Sequence, residues 1–229
     1  MDNITLEIRS VRLSPLDCIR QAFALFRSNY WLMLGITLVG MLIGGFAPFG
    51  LLMGAMLCGI YFCFFTLLRG QPVDFAMLFR GFDYFVQGLL VTLVIMAATF
   101  VIVVPLCIIG FAVFIVSVAA GDVVFIPFGM VLFHGVIMLT SVLVGMFTQL
   151  AYPLIVDRHL TAVEAVKTSV RAVWANFWGL LGLMLLTHLM TMLGFCLCCV
   201  GAYFLLPVNL AASAIAYRRI FPESVTPPP

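Results

Sequence analysis

In the stretch LLTHLMT, His188 stands between Thr187 and Thr191, about ten residues into an apolar run. An imidazole at that depth has the chemistry of a proton relay or of a polar substrate contact. Asn209, two residues after Pro207 in the next apolar run, reaches a similar depth. The same side chains also fit a purely structural arrangement. A neutral His188 would then bond a neighbouring helix through Thr187, Thr191 or Asn209, a contact of about 1 kcal/mol. The structural reading is the favoured one.

Asp122 and His134 fall near the other end of their apolar runs and together would line an outer-side opening. A solvated loop acid and an interfacial histidine account for them equally well. His159, beside Asp157 and Arg158, reads as a hydrated turn residue. Cys196 and Cys199 in CLCC share a helical face, but no second CxxC or HxxxH supplies the remaining metal ligands. They read as small packing residues, with a disulfide to Cys107 as the alternative if that side is oxidising. GxSxG, HExxH, Walker and GxGxxG motifs are missing from supporting contexts, and acids are few. The expectation is therefore a non-enzymatic chain with no cofactor and no metal.

These residues are carried by an unusual chain. Of 229 residues 65% are hydrophobic and only 9% charged, so water cannot be the solvent for most of the surface. A net charge of +2 gives no reason to expect nucleic acid as a partner. Charge-free stretches at 31–47, 50–68, 84–120, 123–156, 177–196 and 198–217 read as about six transmembrane helices. GFAPFG turns the first pair, and the last pair meets at LGFCLCC. The opening MDNITLEIRSVRLSP has no short apolar core or small-residue cleavage site, so the run after Tyr30 reads as an uncleaved anchor.

Charge placement orients the spans. Arg9, Arg12, Arg20 and Arg27 precede the first span, and Arg69 and Arg80 follow the second. Arg158, Lys167 and Arg171 precede the fifth, and Arg218 and Arg219 follow the sixth. All lie on one side, which the positive-inside rule makes cytoplasmic, together with both termini. The middle admits two solutions of the same parity. Two crossings need a break near Pro105 and Gly110 and a turn at Gly121–Asp122, whereas four short crossings would be interrupted by Pro127 and Gly129. Two crossings are preferred.

The stretch from Ser14 to Trp31 is rewritten from Thr161 to Trp178. Asp17 aligns with Glu164, Arg20 with Lys167, Asn29 with Asn176 and Trp31 with Trp178. Ser14 with Asp17, and Thr161 with Glu164, give helix-start patterns. Apolar residues follow at Leu16, Ile19, Phe23 and Phe26, and at Val163, Val166, Val170 and Val173. Each helix is expected to lie in the membrane interface. Arg20, Arg27, Lys167 and Arg171 would meet anionic headgroups or a partner, and Trp31 and Trp178 would anchor the descent into lipid. The unit is an interfacial amphipathic helix plus a helical hairpin, in parallel repeats, with a fainter third copy possible from Asp74. The chain then divides into a tail (1–13), repeat 1 (14–68), a central segment (69–156), repeat 2 (157–219) and a Pro-rich tail (220–229). Gly40 with Gly44, and Ala212 with Ala216, are small-residue pairs for close helix contact, within the bundle or between protomers.

RGQPVDFAMLFRGF, SVRAVWANFW and PVNLAASAIAYRRIFP resemble segments of a family of uncharacterised proteobacterial multi-pass inner-membrane proteins. A more distant likeness is to the membrane domain attached to some glycerophosphodiester phosphodiesterases. The resemblance covers most of the chain except 105–130. It implies an all-α integral membrane protein of the bacterial inner membrane, and it brings no active residue. Two functions fit. One is an envelope protein that organises lipid or docks a partner, with membrane lipids, a protein or a second copy as company. The other is a small transporter or channel for a neutral or lipidic substrate, with His188 and Asn209 in its path.

Overall fold

A computed structural model describes residues 9–11, 13–26, 29–119, 121, 125–196 and 200–222. Arg27, Asp122, Cys198 and Cys199 lie outside the described residues, as do most of the two tails. The described chain is helical, with α1 (Pro15–Leu25), α2 (Tyr30–Phe46), α3 (Met53–Leu68), α4 (Phe85–Ala119) and α5 (Phe125–Thr148). There follow α6 (Ala151–Arg158), α7 (Ala162–Ala175), α8 (Phe177–Cys196) and α9 (Val200–Ile220). Two units form, one of residues 1–92 with 147–229 and one of residues 93–146.

Among the described residues three stretches are long and apolar enough to cross a membrane: Phe75–Ala119, Gly129–Arg158 and Phe177–Cys196. The bent pair α1 and α2, which meet at 106°, makes a fourth if counted as one span. α3, with 16 residues, is about 24 Å long, short of a hydrocarbon core of about 30 Å. α9 is long enough, but Asn209, Ser213, Arg218 and Arg219 dilute its hydropathy.

In the larger unit the polar or short helices are the central ones. From Gly54 to Thr66, α3 is buried at nearly every position, and the second half of α9 is buried from Val208 to Tyr217 with few gaps. A helix surrounded by protein does not need an apolar surface on every side, so small and polar residues are tolerated. The hairpin between α2 and α3 turns through a 3-10 segment, Pro48–Gly50, where Gly50 takes a φ of 65°.

The tightest packing joins α3 to a 3-10 segment, Phe75–Tyr84, that leads into α4. A Cβ on Gly59 would lie 2.0 Å from the Leu78 carbonyl oxygen, and one on Gly54 would lie 2.2 Å from that of Gly88. Gly81 is as closely apposed to Ala55 and Gly59. Gly40 and Gly44 serve the same unit internally, against Ile60, Leu78 and Met53, and Ala212 and Ala216 are fully buried. The segment from Asp74, read as a possible third copy, forms a 3-10 helix rather than an α-helix and clasps α3.

The central crossings also differ from expectation. α4 runs unbroken through Pro105 and Gly110 for 35 residues, about 52 Å. Proline removes one helical hydrogen bond without ending the helix. In the smaller unit α4 meets α5 where Gly110 faces the Phe133 ring. α5 ends at Thr148, and α6 continues after a two-residue turn as a short, mostly buried helix.

Candidate functional site

The C-terminal ends of α3, α6 and α9 gather the charges of the larger unit around one carboxylate. The Asp157 side chain is 5% exposed and lies 3.1 Å from Arg218 Nη2, 3.2 Å from Arg158 Nε and 3.5 Å from Arg69 Nη2. The Tyr217 hydroxyl donates to Asp157 Oδ2 at 2.8 Å. Arg218 also stacks over the Phe65 ring at 4.5 Å, and Arg158 donates to the Pro222 carbonyl at 2.6 Å. Among the described residues one acid is thus held by three guanidiniums. Sequence reasoning placed these arginines on one side but not in one cluster, and passed over Asp157 and Tyr217.

Beside this cluster lie α1 and, elsewhere in the same unit, α7. Each has three sectors. In α1, Cys18, Ile19, Ala22 and Phe26 are buried; Leu16 and Phe23 are exposed and apolar; Asp17, Arg20 and Gln21 are exposed and polar. In α7, Ala165, Ser169, Ala172 and Val173 are buried; Val163 and Trp174 are exposed and apolar; Glu164, Lys167 and Arg171 are exposed and charged. The expected single apolar face is therefore split. Small residues (Cys18, Ala22, Ala165, Ser169) go inward because they let the helix approach its neighbours, and Leu16, Phe23 and Val163 are left outside.

Both helices end in the same bend. Asn29 has φ −125° and ψ 23°, and Asn176 has φ −126° and ψ 29°. Asn176 Oδ1 accepts from Val11 N–H at 2.8 Å, and its Nδ2 donates to the Arg9 and Ala172 carbonyls at 3.1 Å. At the start of α7, the Glu164 carboxylate accepts from the Thr161 hydroxyl at 2.8 Å and its N–H at 3.3 Å. Ser14 makes no such cap, since Pro15 at the first helical position already presets the turn.

Trp178 and Trp31 are both largely exposed, at 82% and 74%. Trp178 follows Asn176, which is tied to Arg9 and thereby to Ile220 at the basic end of α9. Trp31 is placed differently. Its ring meets Phe204 at 6.3 Å, and the Tyr30 hydroxyl donates to the Phe204 carbonyl at 2.8 Å. That carbonyl lies in the first turns of α9, about 21 Å of helix before Arg218.

The intramembrane candidates are brought together in part. Asn209 Nδ2 donates to Thr191 Oγ1 at 2.9 Å, joining α9 to α8. Thr191 in turn donates to the Thr187 carbonyl at 2.8 Å. His188 Nδ1 and the Thr187 hydroxyl both lie 2.9 Å from the Met184 carbonyl, within their own helix. Asn209 Oδ1 is buried and has no hydrogen-bond partner. A second buried pair, the Thr92 and Tyr152 hydroxyls at 3.1 Å, went unnoticed in the sequence because each residue looked ordinary alone.

His134 stays within α5, its Nδ1 2.8 Å from the Met130 carbonyl, and is exposed. It borders an apolar cleft of about 1060 Å³ between α4 and α5 in the smaller unit. Its proposed companion Asp122 is outside the described residues. Cys107 and Cys196 carry free thiols, and among the described residues no group of His, Cys, Asp and Glu could hold a metal ion. His159 is exposed and stacks on Tyr84 at 5.8 Å. Compared with known proteins, the chain matches no protein family, no curated protein and no solved structure.

Proposed function

We propose that this chain is a six-span protein of the bacterial inner membrane, with both termini cytoplasmic and two parallel repeats, α1–α3 and α7–α9. Its activity on this reading is to bind and organise anionic lipid, or to dock a partner, through a collar of in-plane helices. It has no catalytic role. The observation that carries the reading is the shared three-sector layout of α1 and α7 with the same asparagine bend. A helix with one protein-facing, one apolar and one charged side suits the line where bundle, lipid and water meet. Arg20, Lys167 and Arg171 are exposed in the charged sectors, and Arg27 continues the pattern in sequence. On this topology Trp178 anchors the second repeat at the headgroups, whereas Trp31 packs deeper along α9.

Replacing Arg20, Arg27, Lys167 and Arg171 with Gln should abolish the preference for anionic over zwitterionic nanodiscs, at about 1 kcal/mol per charge. An unchanged preference would end this reading.

One observation favours transport instead. Asn209 Oδ1 is an unsatisfied acceptor inside the bundle, and its amide nitrogen bonds Thr191 on α8, the helix that carries His188. A neutral or lipidic substrate passing there would supply the missing donor. Proteoliposome flux abolished by His188→Ala or Asn209→Ala would support it, and unaffected flux would remove it.

A further inference from the structure

A cleft of about 360 Å³ opens between α1, α3 and α9, at the lower end of the range of small-molecule sites. Its polar lining is Arg218, Arg219 and Gln21, and its apolar lining includes Leu25, Leu68 and Ile215. The two guanidiniums differ. Arg218 is committed to Asp157 and to the Phe65 ring. Arg219, half-buried in the cleft wall, pairs with no carboxylate among the described residues. Two acids lie nearby among the described residues. Asp157 is already shared by three arginines, and Asp17 is exposed on the polar sector of α1.

A half-buried guanidinium beside apolar walls, with a second guanidinium lining the same cleft, calls for an anion that brings its own apolar stem. We propose that this cleft is a discrete binding site for the phosphate of an anionic phospholipid. Arg219 grips the phosphate oxygens in a forked, charge-assisted contact, Arg218 adds charge from behind, and Gln21 offers its amide. Leu25, Leu68 and Ile215 hold the first methylenes of the acyl chains. The apolar walls are what distinguish a lipid from free phosphate as occupant. The site rests on the anionic-lipid reading above, but it is separate from the exposed charges of α1 and α7.

The test is native mass spectrometry of the full chain released from nanodiscs that contain phosphatidylglycerol and phosphatidylcholine. Wild type is expected to retain one phosphatidylglycerol per chain after extensive delipidation. Arg219→Gln should lower that retention about tenfold. Ala24→Trp, which fills the cleft from an exposed position of α1 and leaves every charge in place, should lower it as much. The fourfold Gln variant of Arg20, Arg27, Lys167 and Arg171 should keep this one lipid while losing its preference for the anionic disc. Retention equal to wild type in both Arg219→Gln and Ala24→Trp overturns the site and leaves the general reading standing. Displacement of the lipid by inorganic phosphate at low concentration also overturns it, because the ligand is then free phosphate.

Discussion

Taking a carboxylate out of water costs several kcal/mol, and Asp157, 5% exposed, offsets that loss through three guanidiniums and a tyrosine hydroxyl. Removing the acid leaves the arginines facing one another. Asp157→Asn should therefore lower the unfolding free energy by about 3 kcal/mol, read as a reduced thermal midpoint in detergent. Tyr217→Phe removes one hydrogen bond and should cost about 1 kcal/mol. If Asp157→Asn melts like wild type, the cluster contributes nothing. Cys18 gives a pH test at the same end. Burial raises its thiol pKa above the ordinary 9.0, opposed by Arg219 and assisted by Asp17. Its thiolate is therefore scarcer at pH 8 than that of a free thiol, and alkylation in the folded protein should accelerate only as pH rises past that value. Labelling as fast as a free thiol at pH 8 would contradict the burial. The sequence showed the sign and side of these arginines, because span boundaries reveal charge. It did not show Asp157 as their centre, because the partners come from α3, α6 and α9, up to 149 positions apart in the case of Arg69 and Arg218.

Among the elements, α3 and the 3-10 segment after it depend on glycine most. A methyl on Gly59 would sit 2.0 Å from a backbone oxygen, so the two segments must part. Gly59→Ala should destabilise the protein by about 1–3 kcal/mol. Gly35→Ala on α2, with nothing within 4 Å of the added carbon, should be neutral or gain up to about 1 kcal/mol from helix propensity. Equal melting of the two variants would mean that the clasp is not tight. Helix limits were largely legible: 177–196 was expected and α8 is Phe177–Cys196. Apolar run length carries that information directly. The glycine clasp was not legible, since Gly54 and Gly59 meet partners, Gly88 and Leu78, in a separate segment that local spacing does not reveal. The split of α1 into a buried and an exposed apolar sector was also hidden. Periodicity reports which residues are apolar, not which neighbour each one meets.

At the scale of the whole molecule, length and hydropathy together separate three or four helices from the rest among the described residues. The remaining proposed spans are α3, which is apolar but only 16 residues long and buried along most of its length, and α9, whose second half is buried and carries Asn209, Ser213 and two arginines. A criterion of length and hydropathy passes over a short helix, or one with polar residues turned to protein. Every cation lies in a segment that the six-span path returns to one side: before α2, after α3, around α6 and α7, and at the end of α9. Single cysteines reacted with an impermeant maleimide in sealed vesicles test that path most directly. Cysteines replacing Arg9, Gly70, His159 and Lys167 should all react from the cytoplasmic side, and those replacing Phe46 and Gly121 only from the opposite side. Labelling of Arg9 and Lys167 positions from opposite sides would contradict the account.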